Sequence, residues 1–257
     1  VLDEPQKWKW IQKRLPVNKV WGVGARLSKK LTEQGIITIE DLAGADPYLL
    51  GKQFSINMER TIRELNGESC IPLEEAPPPK KQIYCTRSFG EKVYSLIELQ
   101  QAACLYATRA AEKLRAQDSL AVALHVFINT SAHSDNFYRN STVIKLLYPT
   151  NDNRQILNAV RHAIKILYRP GYAYAKAGVG VIDLQPRKHK QNDLFTAGQD
   201  LRSELLMKCV DSINNRFGRH STFMASQGVS GKWEMRQQLR SPSYTTQWED
   251  IPLVYCL

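Results

Sequence analysis

The stretch Leu120–Tyr148, LAVALHVFINTSAHSDNFYRNSTVIKLLY, decides the architecture. Leu120, Val122, Leu124, Val126 and Ile128 recur at every second position, the signature of a strand with one face buried. Ser134-Asp135-Asn136 supplies a polar turn, and residues 141–148 read as a second strand. On both sides of this pair the period changes. Residues 95–116 carry Leu99, Ala103, Tyr106, Ala110 and Leu114 at helical spacing, and residues 152–168 place Ile156, Val160, Ile164 and Leu167 on one helical face. Further out the alternation returns. Residues 81–89 read as a strand with Ile83, Cys85, Arg87 and Phe89 on one side. Residues 172–184 set Ala173, Ala175, Ala177, Val179 and Val181 against an opposite face carrying Tyr172, Tyr174 and Lys176. The order β-α-β-β-α-β predicts a four-stranded sheet with both helices on one face. Aromatic and basic side chains on its other face suit a sheet laid against nucleic acid, with an oligomer interface as the alternative.

Two breaks bracket this segment. Ala76-Pro77-Pro78-Pro79-Lys80-Lys81 extends the chain, because consecutive prolines cannot join helix or sheet interiors. Pro186-Arg187-Lys188-His189-Lys190 is polar, basic and without hydrophobic period. The expected domains are therefore 1–78, 79–190 and 191–257. The net charge of +10 lies in the middle one, which holds 17 Lys/Arg against 7 Asp/Glu. The flanks balance, at 11 against 11 and 7 against 7. A surplus confined to one domain is the footprint expected of a polyanion binder.

Residues 1–75 read as short helices, with Leu27, Leu31, Ile36/Ile37, Leu42, Leu49/Leu50, Ile56, Ile62 and Leu65 as their apolar positions. Asp41 and Ser55 are expected N-caps, and Gly35 and Gly67 helix stops. Val20-Trp21-Gly22-Val23-Gly24 precedes a helix bearing Arg26, Lys29 and Lys30. Glycines two apart permit a tight turn whose backbone N–H groups can approach a phosphate, and the following helix N-terminus favours an anion. With Gly35–Leu42 closing the unit, this has the pattern of a helix-hairpin-helix that holds a DNA backbone without reading sequence. Past residue 200, Glu204–Phe217 reads as a helix with Leu205, Leu206, Cys209 and Ile213 as its stripe; the remainder suggests short strands and turns.

WGVGARLSKKLTEQGIITIEDLA (residues 21–43) resembles the thumb of Y-family DNA polymerases, and the β-α-β-β-α-β segment is similar to the little finger of that family. Thr86-Arg87-Ser88-Phe89-Gly90 resembles the little finger's first-strand signature. Within the family the likeness is to the UmuC type, the catalytic subunit of DNA polymerase V. Residues 60–68 (RTIRELNGE), 110–115 (AAEKLR), 143–147 (VIKLL) and 241–246 (SPSYTT) carry it across nearly the whole chain. The resemblance implies an α+β chain: a helical thumb, a little finger and a small α+β C-terminal extension. It implies error-prone translesion synthesis in the SOS response, in the cytoplasm at the nucleoid. It also implies damaged or primer–template DNA, the sliding clamp, UmuD′ and RecA as partners. Phosphate contacts are expected from Gly22, Val23, Gly24, Arg26, Lys29 and Lys30 in the thumb. In the little finger they are expected from Lys81, Arg87, Ser88, Lys145, Tyr174 and Lys176. Gln191-Asn192-Asp193-Leu194-Phe195 resembles the pentapeptide by which bacterial polymerases engage the clamp. Leu194 and Phe195 would fill an apolar pocket, while Gln191 fixes register by hydrogen bonds and Asp193 completes the motif.

Other chemistry is not expected here. Two-metal phosphoryl transfer needs clustered carboxylates, and none of the pairs Asp3-Glu4, Glu40-Asp41, Glu74-Glu75 and Glu249-Asp250 follows a strand that aims both at one ion. No catalytic residue, metal ligand or cofactor is assigned, Mg²⁺ and nucleotides being expected only with the family's palm. The cysteines Cys70, Cys85, Cys104, Cys209 and Cys256 lack metal-site spacing and read as inert thiols of a reducing cytosol. Val1–Pro5 carries no basic leader, and no apolar run reaches the ~18 residues of a membrane span, so no membrane partner is expected. Two rivals are a stand-alone DNA- or clamp-binding protein and a helix-hairpin-helix accessory domain of a nuclease or ligase.

Overall fold

The structure, a computed structural model, describes residues 5–75, 77–189, 198–229, 231, 233–235 and 240–254. They fall into two compact units, residues 1–77 and 78–257.

The first unit holds α1 (Pro5–Gln12), α2 (Ala25–Thr32), α3 (Ile39–Ala43), α4 (Pro47–Gln53) and α5 (Ile56–Leu65). Leu31, Leu42 and Ile62 are fully buried and pack with Val17, Val23, Leu50 and Met58. Such side chains contribute about 1.5–3 kcal/mol each by leaving water. Ile37, Leu49 and Ile56, expected in the stripes, are more than half exposed. Gly35 and Gly67 take positive φ and stop their helices, Gly67 in a Schellman turn with Glu68 N bonded to Arg63 O at 3.0 Å. The N-cap before α3 is Thr38 rather than Asp41. Asp41 sits three residues into a capping box, accepting from the N–H of Thr38 at 2.8 Å, and these bonds hold its carboxyl below the usual range. Ser55 is the N-cap of α5, without a side-chain hydrogen bond.

The second unit runs β1 (Ile83–Val93), α6 (Leu96–Ala116), β2 (Ser119–Thr130), β3 (Arg139–Thr150), α7 (Asn153–Leu167) and β4 (Tyr174–Pro186). The four strands form one antiparallel sheet in the order β1-β4-β2-β3. This is the split β-α-β arrangement within an α+β chain. Both helices cover one face: Leu99, Ala103, Ala110 and Leu114 of α6, and Ile156, Val160 and Ile164 of α7, meet Ile83, Leu124, Val126, Val179 and Val181.

The C-terminal region docks on the helix side of the same unit. In α8 (Leu201–Phe217) the expected stripe is not the docking face, because Leu205, Leu206 and Cys209 are exposed. Met207 is buried instead, and the remaining attachment is polar. Arg115 of α6 grips Asp211 through Nε and Nη2 at 2.6 and 2.7 Å, and its Nη1 donates to Asn151 O and Asn153 Oδ1. Gln199 accepts from Thr150 Oγ1 at 2.7 Å. Further on, Trp233 packs edge-on against Tyr106, and Gln227 donates to Thr108 Oγ1 at 2.9 Å. Cys85 and Cys104 are buried, and desolvation pushes the Cys104 thiol up to about 11; Cys209, by contrast, is exposed. No described helix is long and apolar enough to cross a membrane.

Candidate nucleic-acid interface

The ladder register gives the face of the sheet opposite the two helices. Ser88, Lys176, Asn129 and Arg139 form one row across β1, β4, β2 and β3. Thr86, Gly178, Phe127 and Ser141 form the next, followed by Tyr84, Gly180, His125 and Val143. A last row carries Ile182, Ala123 and Lys145. None of these positions is acidic. Lys176, Arg139 and Lys145 place positive charge at both ends of the face, and α6 and α7 of this unit pack on the other face.

The middle of the face is aromatic, and the glycines of β4 make it so. A Cβ on Gly178 would lie 2.4 Å from the Phe127 ring, and one on Gly180 would lie 2.3 Å from Tyr84. The rings therefore lie flat over bare backbone. Tyr84 meets His125 edge-on at 5.8 Å between centroids, with its hydroxyl 3.2 Å from His125 Nδ1, and His125 lies 5.9 Å from Phe127. The result is a platform of rings between cationic ends, suited to a surface that meets sugar–phosphate backbone without a fixed sequence.

Of the little-finger positions expected from sequence, Ser88, Lys145 and Lys176 lie on this face, and Lys81 is exposed immediately before β1. Two do not. Tyr174 is fully buried among the sheet's core residues, its hydroxyl bridging Arg169 N and O at 2.8 and 3.0 Å. The cause is a bulge: Lys176 pairs with Asn129 but Tyr174 with Thr130, so Ala175 is an extra residue and the alternation reverses below it. Arg87 pairs with Ala177 and shares the helix-side face with Cys85, where it opens toward Arg109 of α6.

In the first unit, Arg26, Lys29 and Lys30 are exposed on α2. A single 3-10 turn, Val17–Lys19, precedes the glycine turn. Val23 is a correction: its side chain is buried and its N–H is bonded to Val20 O at 3.0 Å, so it anchors the turn and has no donor left for a phosphate. Gly22 needs its positive φ of 91°. Gly24, the N-cap of α2, has an ordinary φ of −80°, and a Cβ there would meet nothing within 4 Å. The fold does not require glycine at 24, and its bareness leaves the backbone open from outside. Trp21, beside it, is 96% exposed. Gln191, Asp193, Leu194 and Phe195 lie outside the described residues. Among the described residues no three His, Cys, Asp or Glu side chains gather as metal ligands.

Sequence reading missed Tyr84, Phe127, His125, Asn129 and Arg139, whose common face depends on the pairing of strands far apart in sequence. Gly178 and Gly180 inside a strand were the available signal, since an interior glycine marks close approach.

A split β-α-β domain with an acid-free, cation-ended sheet face is thus the class that fold and surface define. Comparison with known proteins makes the class particular. Residues 80–194 match the impB/mucB/samB family C-terminal domain, and residues 204–254 match a domain of unknown function (DUF4113). The chain is 47% identical to protein SamB of Salmonella typhimurium over 92% of its length and 56% of that protein's. It is 45% identical to MucB of Salmonella typhimurium over 98% of the chain and 60% of the relative, and 41% identical to UmuC of the same species over 92% and 57%. DNA polymerase IV 1 of Bacillus subtilis is more distant, at 25% identity over 79% of the chain. The chain belongs to the UmuC-like Y-family polymerases, as their C-terminal part. It spans under two thirds of the length of these curated relatives.

Proposed function

We propose that this chain is the DNA-gripping part of an error-prone translesion polymerase, holding primer–template by its backbone while the family's palm, with Mg²⁺ and nucleotides, performs synthesis. The observation that carries the reading is the open sheet face, with Lys145, Arg139 and Lys176 around the Tyr84–His125–Phe127 platform and no carboxylate in its rows. Phosphate contact fixes position without selecting bases, which suits an enzyme whose template is damaged. Arg26, Lys29 and Lys30, with the open backbone at Gly24, add a second grip in the helix-hairpin-helix manner. The pentapeptide 191–195 is the clamp tether, and UmuD′ and RecA are partners by likeness to UmuC. A cytoplasmic, SOS-induced protein fits this role.

Fluorescence anisotropy with primer–templates of unrelated sequence tests the grip. Equal affinities, falling steeply and in parallel as salt rises, are expected. A preference exceeding tenfold for one sequence would mean base readout and contradict the reading.

A further inference from the structure

The helix side of the second unit carries a second cationic surface, which the sheet-face reading leaves unused. A groove of about 1130 Å³ runs between β1, α6 and α8. Arg87, Arg109, Lys113, Lys208, Arg216 and Arg219 line it. Its carboxylates are mostly occupied, Asp211 by Arg115, and Glu204 and Asp118 by Arg187, which leaves Glu112. Among the described residues none of the six cations makes an ion pair. Unpaired like charges held along one groove repel one another, and an external polyanion relieves that repulsion.

A smaller pocket of about 300 Å³ adjoins the groove and shares Arg87, Arg109 and His220 with it. That volume is at the lower end for a small-molecule site, about 300 Å³. Tyr106, Phe223 and Trp233 are among its walls. Two of its lining residues carry buried polar atoms without a partner: Trp233 Nε1, a donor, and Gln227 Oε1, an acceptor. Buried polar atoms are almost always satisfied, so an unpartnered pair at a pocket points to a ligand offering both an acceptor and a donor. The edge of a nucleobase does so. Phe223 is 41% exposed, and Phe217 is 68% exposed with the Arg216 guanidinium 5.2 Å from its ring centre.

We propose that this groove binds single-stranded nucleic acid, its phosphates along the arginines and lysines and one unpaired base in the Tyr106–Trp233 pocket. Rings beside a cationic groove stack on unpaired bases whatever their sequence, which a duplex does not offer and an acidic peptide lacks. The site lies on the side of the sheet opposite the primer–template face and goes beyond the proposed grip.

The whole chain is titrated onto a fluorescein-labelled oligothymidylate 15-mer and, separately, onto primer–template duplex. Arg109→Gln/Lys113→Gln/Lys208→Gln should weaken oligothymidylate binding roughly ten- to a hundredfold and reduce its log–log salt slope by about 2, at ~0.7 per phosphate contact. Duplex binding should stay unchanged. Lys145→Gln/Lys176→Gln should do the reverse, and if it leaves duplex binding intact the sheet-face reading fails while the groove stands. Phe223→Ala, an exposed change that spares the fold, should weaken the 15-mer but not an abasic oligomer of equal length. Undiminished oligothymidylate binding by the triple variant would overturn the proposal. So would an oligoglutamate peptide binding as tightly as the 15-mer, which would assign the groove to an acidic protein segment.

Discussion

Replacing Arg115 by Met tests how the C-terminal region is attached. The Arg115 side chain is 9% exposed and makes four hydrogen bonds, two to Asp211 and one each to Asn151 O and Asn153 Oδ1. Hydrogen bonds to a charged group contribute about 1.5–3 kcal/mol each, and breaking a buried ion pair costs about 3–5 kcal/mol. Asp211 is 27% exposed and can rehydrate when released, which reduces its share. Asn153 is 2% exposed and stays buried with one acceptor fewer satisfied. Methionine keeps most of the apolar stem, so the loss is polar. The balance is about 3 kcal/mol, read as reduced hydrogen-exchange protection of the α8 amides relative to those of β2. Around 150-fold faster opening of α8 is expected, since 1.4 kcal/mol is about tenfold. A change below about 1 kcal/mol at α8 would refute the view that this residue holds the helix, and would shift the weight to Met207 and Gln199.

Two further outcomes are expected. Burial pushes the Asp152 carboxyl up, but hydrogen bonds from the Arg154 side chain and N–H and from Ser203 outweigh it and leave the group below 3.8. A depressed carboxylate stabilises above its unfolded pKa and loses that contribution as pH falls through the folded value. The stability difference between the wild type and Asp152→Asn should therefore shrink from about pH 5 to about pH 2 in urea titrations, and a constant difference would contradict it. Leu194→Ala with Phe195→Ala should abolish sliding-clamp binding in surface plasmon resonance while leaving primer–template affinity unchanged; loss of both would make these residues structural.

The order of elements was legible because alternation and helical period each extend over whole segments: Leu124–Ile128 and Ile156–Leu167 state their faces without help, whereas a register shift between Ala121 and Ala123 puts Ala121 rather than Val122 in the core. The site was legible in part. Lys145, Lys176 and Ser88 follow from alternation, but Tyr174 does not. One extra residue at Ala175 reverses the side to which it points, and single-strand periodicity carries no sign of such a bulge. Arg87 was on the helix side by the same count that placed Ile83 and Cys85 there, and its charge alone suggested the opposite assignment. The docking of α8 was hidden for another reason. Its attachment is an ion pair and a set of amide hydrogen bonds, so the apolar residues that set its apparent stripe are those left exposed. Tyr84, His125 and Phe127 meet only through the register of β1, β4 and β2, which no local pattern fixes.

The central claim is that the open sheet face meets the DNA backbone. Its most direct test is the salt dependence of primer–template binding for the whole chain and for Arg139→Gln/Lys145→Gln/Lys176→Gln. Three lost phosphate contacts should lower the log–log slope by about 2.7, at ~0.9 each on duplex, and equally for every sequence tried. An unchanged slope with unchanged affinity would place the DNA on another surface and contradict the account.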